Sequence, residues 1–211
     1  MKTFLSLLGI AGLSICAANA QTSYGLKAGM NLGKITSYDS QKFNPSYFVT
    51  GFADIPLSGI FSIQPGISLQ SKGTKFVDAI PNWDQTATDL HTSSLNVMSI
   101  EIPVNAVYYI PVGTGDVFLS AGPYLGYNLS GKLKNSTSNS NKSSSRDVEF
   151  SGSNKMMNRW DAGVNFAVGY KLSNGFLIQT GYGLGISNLN AASKSKDFSS
   201  RTLNFGVGFQ F

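Results

Sequence analysis

His91 is the only histidine in this 211-residue chain, and Cys16 is its only cysteine. An imidazole can act as a general base or a metal ligand near neutral pH, but one imidazole cannot build a multi-histidine metal site. His91 follows "NWDQTATDL", so that Asp84 and Asp89, with Asp78 upstream, are the nearest carboxylates. Their spacing matches no standard calcium loop, and solvated loop residues are the simpler reading. Residues 126 to 133, "GYNLSGKL", come within one residue of a phosphate-binding loop, with Leu133 where a Ser or Thr should hold magnesium. Such a loop needs a helix directly after it, but residues 134 to 147 read "KNSTSNSNKSSSRD". The glycines of "GYGLG" at 181 to 185 match no full dinucleotide fingerprint. The expectation is therefore a protein without catalytic residues, cofactor or metal, and not an enzyme.

The other residues equipped for chemistry are Lys27, Glu101, Arg159, Asp161 and Lys171, and what they can do depends on where their segments point them. Residues 23 to 35, "SYGLKAGMNLGKI", split by alternation into an apolar list of Tyr24, Leu26, Ala28, Met30 and Leu32 and a polar list of Gly25, Lys27, Gly29, Asn31 and Gly33. A period of two means a strand with one apolar face. Similar alternation runs through 60 to 70, 158 to 172 and 202 to 211, and less cleanly through 47 to 56, 95 to 110, 116 to 130 and 175 to 187. In the second of these eight segments, "YFVTGFADIP", both faces are apolar and the parity gives no orientation. Phe118 and Tyr124 break the pattern of the fifth. Pro65, Pro103 and Pro123 sit inside segments, and bulges are expected there.

Tight turns, "LSG", "VGTG" and "SNG", follow the second, fourth and sixth segments. Longer polar stretches, about 36 to 46, 71 to 94, 131 to 157 and 188 to 200, follow the odd ones. This asymmetry predicts an all-β, eight-stranded antiparallel transmembrane barrel, with short periplasmic turns and long extracellular loops. The apolar faces then meet lipid, and the glycine-rich polar faces fill a lumen too narrow for anything but side chains. A lipocalin-like soluble barrel would instead leave Gly, Ser and Asn on a solvated surface, which weakens strands. Within the lumen, Lys27, Glu101, Arg159, Asp161 and Lys171 are expected to form a polar network, with Arg159 as the first-choice partner of Glu101 and Lys27 as the second. Structural packing is the simpler reading of that network, against an ion relay or a gate. The third long stretch, rich in Ser and Asn, is expected to be a mobile loop.

The chain opens "MKTFLSLLGIAGLSICAANA", the layout of a signal peptide with Ala18-Asn19-Ala20 as cleavage site. Residues 1–20 are expected to be removed and residues 21–211 to form a single outer-membrane domain. Anchoring through Cys16 as a lipoprotein is disfavoured by the bulky Ile15 before it. Loss of Lys2 lowers the formal net charge from +5 to +4, a scattered basicity that is no footprint for nucleic acid.

The phrases "YGLKAGMNLGKI", "FSIQPGISLQSKG", "IEIPVNAVYY", "FLSAGPYLGYNLSG" and "LNFGVGFQF" together resemble the PorT-like outer-membrane β-barrel family of Bacteroidota. The resemblance implies an eight-stranded barrel and, from one family relative, assistance of protein secretion. The chain departs from the family in carrying Gly66 where a Glu is usual, which detaches it from any task that needs this carboxylate. The expected protein is a closed, side-chain-filled barrel in the bacterial outer membrane. It would act as scaffold or binding partner through its extracellular loops. Its partners would be outer-membrane lipid and an envelope or secretion-system protein, with no nucleic acid, and the barrel itself would be monomeric. The alternative is a narrow conduit for a small solute.

Overall fold

The computed structural model describes residues 22–36, 41–81, 88–137, 140–153, 155–191 and 198–211, with side chains omitted at 78–81, 88–90, 137 and 140–142. The proposed signal peptide, its cleavage site and Asp84 lie outside these residues, as do the side chains of Asp78 and Asp89. Alternation along each segment becomes a closed ring. Strand β1 (Ser23–Ile35) has β3 (Asn44–Ser58) on one side and β10 (Ser200–Gln210) on the other. Between them run β4 (Phe61–Pro81), β5 (Thr88–Val112), β6 (Gly115–Thr137), β8 (Trp160–Leu172) and β9 (Phe176–Gly185), each antiparallel to its neighbours. Two short strands stand outside the ring: β2 (Gln41–Lys42) pairs with β4, and β7 (Ser140–Asp147) pairs with β6. The seam is closed at its inner end by Tyr24 and Phe211, which exchange backbone hydrogen bonds of 3.2 and 2.8 Å.

Turns and wall show the expected asymmetry. The β5–β6 turn carries Gly113 at φ 62° and the β8–β9 turn carries Gly175 at φ 91°, the left-handed region that glycine enters without a Cβ penalty. Outward positions stay apolar and uncovered, with Leu26, Ile102 and Val207 exposed by 57, 56 and 52%. A soluble protein would bury such a belt, whereas a bilayer solvates it.

Parity also orients the second strand, which the sequence left open. Phe48, Thr50, Phe52 and Asp54 are buried inside, while Tyr47 and Val49 face out. The inward aromatics are complementary to glycines on adjacent or next-but-one strands of the same wall. A Cβ built on Gly25 would lie 2.3 Å from the Phe52 ring, and one on Gly206 would lie 2.7 Å from Phe48. Phe118 fills the space beside Gly169 and Tyr124 the space beside Gly163, at 2.3 and 2.6 Å by the same measure. Burying each of these rings contributes roughly 1.5–3 kcal/mol, and none of them would fit beside a larger residue. The aromatic exceptions to alternation are thus the plugs of glycine-lined hollows.

Three expectations are corrected. Stretches 71–94 and 131–157 are largely strand: β4 and β5 continue as a paired hairpin from Ser71↔Met98 to Pro81↔Thr88, and β6 pairs with β7 from Lys132↔Asp147 to Thr137↔Ser140. Continuous backbone pairing satisfies the peptide groups of these polar residues without an apolar core. The third stretch therefore carries paired strand where a loop was expected, and its apolar residues have a place to go. Val148, Phe150 and Met157 fold over the barrel mouth against Val97 and Leu189. The bulges expected at Pro65, Pro103 and Pro123 are absent, because each proline keeps the register of its ladder; among ring pairings the shifts fall at Pro56/Ser58 and Met98/Ser99.

Candidate functional site

The lumen holds two polar clusters, one near each end. At the outer end Lys72, carried inward on β4, meets Glu101 of β5 at 2.5 Å and Asp161 of β8 at 3.6 Å. Its ammonium also lies 4.3 Å from the centre of the Tyr124 ring on β6. Both carboxylates are shielded from solvent, with Glu101 at 0% and Asp161 at 3% exposure. Glu101 accepts hydrogen bonds from Gln70 Nε2 (2.7 Å) and Ser99 Oγ (3.2 Å), and Asp161 from Ser187 Oγ (2.6 Å) and Tyr124 Oη (3.2 Å). Asn31 of β1 joins by donating to Gln70 Oε1 at 3.1 Å. The cluster ties five strands together around one cation and two anions.

At the inner end Asp54 of β3 has neutral company. It accepts hydrogen bonds from Ser62 Oγ, from Gln64 Nε2 at 3.0 Å and from Gln210 Nε2 at 3.1 Å. Lys27 lies over the Phe52 ring at 4.5 Å without a carboxylate within ion-pair distance among the described residues. Lys171 lies 4.4 Å from the centre of the Tyr109 ring and 3.8 Å from Asp116.

A cavity of about 70 Å³ separates the clusters, bordered by Lys27, Lys72, Asn31, Asn105, Gln179 and Asn204. That is the volume of about two water molecules. The side-chain oxygens of these four amide residues have no hydrogen-bond partner among the described residues. Asn31 is 1% exposed, and its Nδ2 donates to Gln70 Oε1 and to the Ser71 carbonyl, both at 3.1 Å, which fixes its oxygen as an acceptor.

The five residues picked out by sequence are thus divided. Glu101 and Asp161 meet in the outer cluster, and Lys27 and Lys171 sit in the inner half. Arg159 is a correction, because β8 begins at Trp160 and strand parity does not reach one residue earlier. Its guanidinium packs 5.5 Å from both the Tyr127 and Phe150 rings and donates to Tyr127 Oη at 3.2 Å, at the outer rim. The cation that pairs with Glu101 is Lys72, which sequence reasoning assigned to a loop. The even positions Ser68, Gln70, Lys72 and Thr74 continue the inward face of β4, so that Lys72 lies one step of the period beyond the last alternating residue, Gln70.

The near-match to a phosphate loop, residues 126–133, lies within β6, and the glycines at 181, 183 and 185 lie on the inward face of β9. His91 sits on β5, opposite Asp78 in the ladder. No group of three or more metal-ligating side chains occurs among the described residues.

A family model described as "Outer membrane protein beta-barrel domain" matches residues 19–191. Among solved structures, the chain is similar to Ail, the attachment invasion locus protein of Yersinia pestis. Identity is 14% and the TM-score 0.43, covering 90% of this chain and 97% of that one. Neisserial surface protein A gives 14% identity, a TM-score of 0.44 and the same coverage. No curated protein sequence matches.

Proposed function

The chain belongs to the outer membrane protein beta-barrel domain family, and from that membership we propose that it serves as a closed scaffold presenting its extracellular strands to a partner in the cell envelope. The observation that carries this reading is the filling of the lumen. The charged cluster of Lys72, Glu101 and Asp161 lies under a lid of Val97, Val148, Phe150, Met157 and Leu189. Below them the interior narrows to a cavity of about 70 Å³. Among the described residues this filling supports a barrel that gives a solute no continuous path. The hairpins of β4–β5 and β6–β7, by contrast, hold a polar surface beyond the apolar belt. The resemblance of the sequence to PorT-like barrels supports help in protein secretion as one task of such a scaffold, and a non-enzymatic role fits a cluster whose chemistry is electrostatic.

The competing reading, a narrow conduit, draws on the same central cavity and its unpartnered amide oxygens. Conductance separates the two. The reconstituted barrel in a planar bilayer is expected to pass no steady ion current, and affinity capture from intact envelopes is expected to retain a protein that is lost when the β6–β7 hairpin is shortened. A stable open-channel current from the unaltered protein would reverse the choice.

A further inference from the structure

On the outer wall, where β4, β5 and β6 leave the apolar belt, successive rungs of the ladder change chemistry in order. Leu69, Ile100 and Tyr127 share one rung. The next outward rung is Ser71, Met98 and Ser130, and the one after it is Gly73, Asn96 and Lys132. Lys75, Ser94 and Lys134 come next, with Lys42 of β2 paired beside Lys75. Apolar groups thus give way to hydroxyls, then to an amide beside a first ammonium group, then to further ammonium groups, over four rungs on one face.

The register shift at Met98/Ser99 is what sets this order. Within the belt the odd residues of β6, such as Leu125 and Leu129, face out. Beyond the shift Met98 pairs with Ser130 rather than with Leu129, and the even residues Ser130, Lys132 and Lys134 are exposed while Gly131 is buried. A bulge that re-aims side chains is a local device. Here it moves two lysines from the inside of the sheet to its membrane-side surface.

The same rungs border a concavity of about 370 Å³. Tyr47 and Met98 form its apolar part, Ser71, Asn96 and Ser130 its hydrogen-bonding part, and Lys132 and Lys134 its charged part. Neither lysine has a carboxylate within ion-pair distance among the described residues, although Asp147 stands opposite Lys132 across the β6–β7 ladder.

We infer that this concavity is a binding site for a phosphate-bearing glycolipid of the outer leaflet. The acyl region would lie along Leu69 and Ile100, the sugar against Ser71, Asn96 and Ser130, and the phosphate on Lys132 and Lys134. Continuity with the lipid-facing wall selects a membrane lipid over a soluble anion, and two ammonium groups without an ion pair among the described residues select a negative headgroup. The lipid would hold the emerging hairpins at a fixed height on the membrane.

Native mass spectrometry of the folded full-length barrel tests this, with bisphosphorylated lipid A and the same lipid stripped of both phosphates as probes. The bisphosphorylated form is expected to bind, and the stripped form about tenfold more weakly. The double variant Lys132→Gln/Lys134→Gln should lose at least about tenfold in affinity for bisphosphorylated lipid A. Ser130→Phe, which fills the concavity and leaves every charge in place, should also weaken binding. Unshifted heat-dependent gel mobility shows that each variant is folded. Equimolar inorganic phosphate should leave the lipid bound. Equal binding of the two lipids, unchanged binding by either folded variant, or displacement by equimolar phosphate would overturn the assignment.

Discussion

The two ends of the lumen bury carboxylates in opposite ways. At the outer end Glu101 and Asp161 share the ammonium of Lys72 and draw their remaining hydrogen bonds from Gln70, Ser99, Tyr124 and Ser187. At the inner end Asp54 is solvated by the hydroxyl of Ser62 and by two amides, while Lys27 lies over an aromatic face. An ion pair concentrates the interaction in one contact, and losing either partner strands a confined charge. Neutral donors divide the same task, so that no single one is decisive. The outer cluster should therefore be brittle and the inner one tolerant.

Lys72→Met is the most severe test of that contrast. It leaves two buried carboxylates without a cation and should cost about 3–5 kcal/mol in a denaturant titration of the barrel in lipid. A loss below that of Asp54→Asn would abolish the distinction. Adding Glu101→Gln to Lys72→Met should restore part of the loss, since one of the stranded charges is removed; no recovery would mean that packing rather than charge explains the single change. Asp54→Asn should cost about 1–3 kcal/mol, because hydrogen-bond donors that faced a carboxylate meet a weaker acceptor. The smallest effect belongs to Asp116→Asn. Its partly exposed pair with Lys171 at 3.8 Å should contribute no more than about 1 kcal/mol, and less as salt is raised.

Much of this was legible in the sequence wherever one face was wholly apolar. In β1 and β10 the lists separate cleanly, and the structure places them as alternation requires. The second strand was illegible because Phe48 and Phe52 point inward, and their complement is on other strands, at Gly25, Gly29 and Gly206. A pattern read one segment at a time cannot see a hollow made by another. The candidate cluster was legible as to its anions but not its cation. Glu101 lies well inside a long alternating run, whereas Lys72 sits where polar residues occupy both faces and period two carries no contrast. Lys72 was hidden for the same reason that 71–94 looked like a loop: outside the apolar belt, strand order rests on backbone pairing, which side-chain chemistry does not report.

Closure of the ring between β1 and β10 sets a constraint in time. Gly25 and Gln210 are partners in the ladder yet lie at opposite ends of the domain's sequence, so this pairing is among the last that a growing or inserting chain can make. Until then both strands present bare edges, which are prone to wrong pairing. The seam should accordingly be the slow step of assembly and the place where hydrogen exchange first reports opening, so that the life of the folded barrel is set by a line of contacts that touches the inner cluster through Gln210 and the outer one through Asn31.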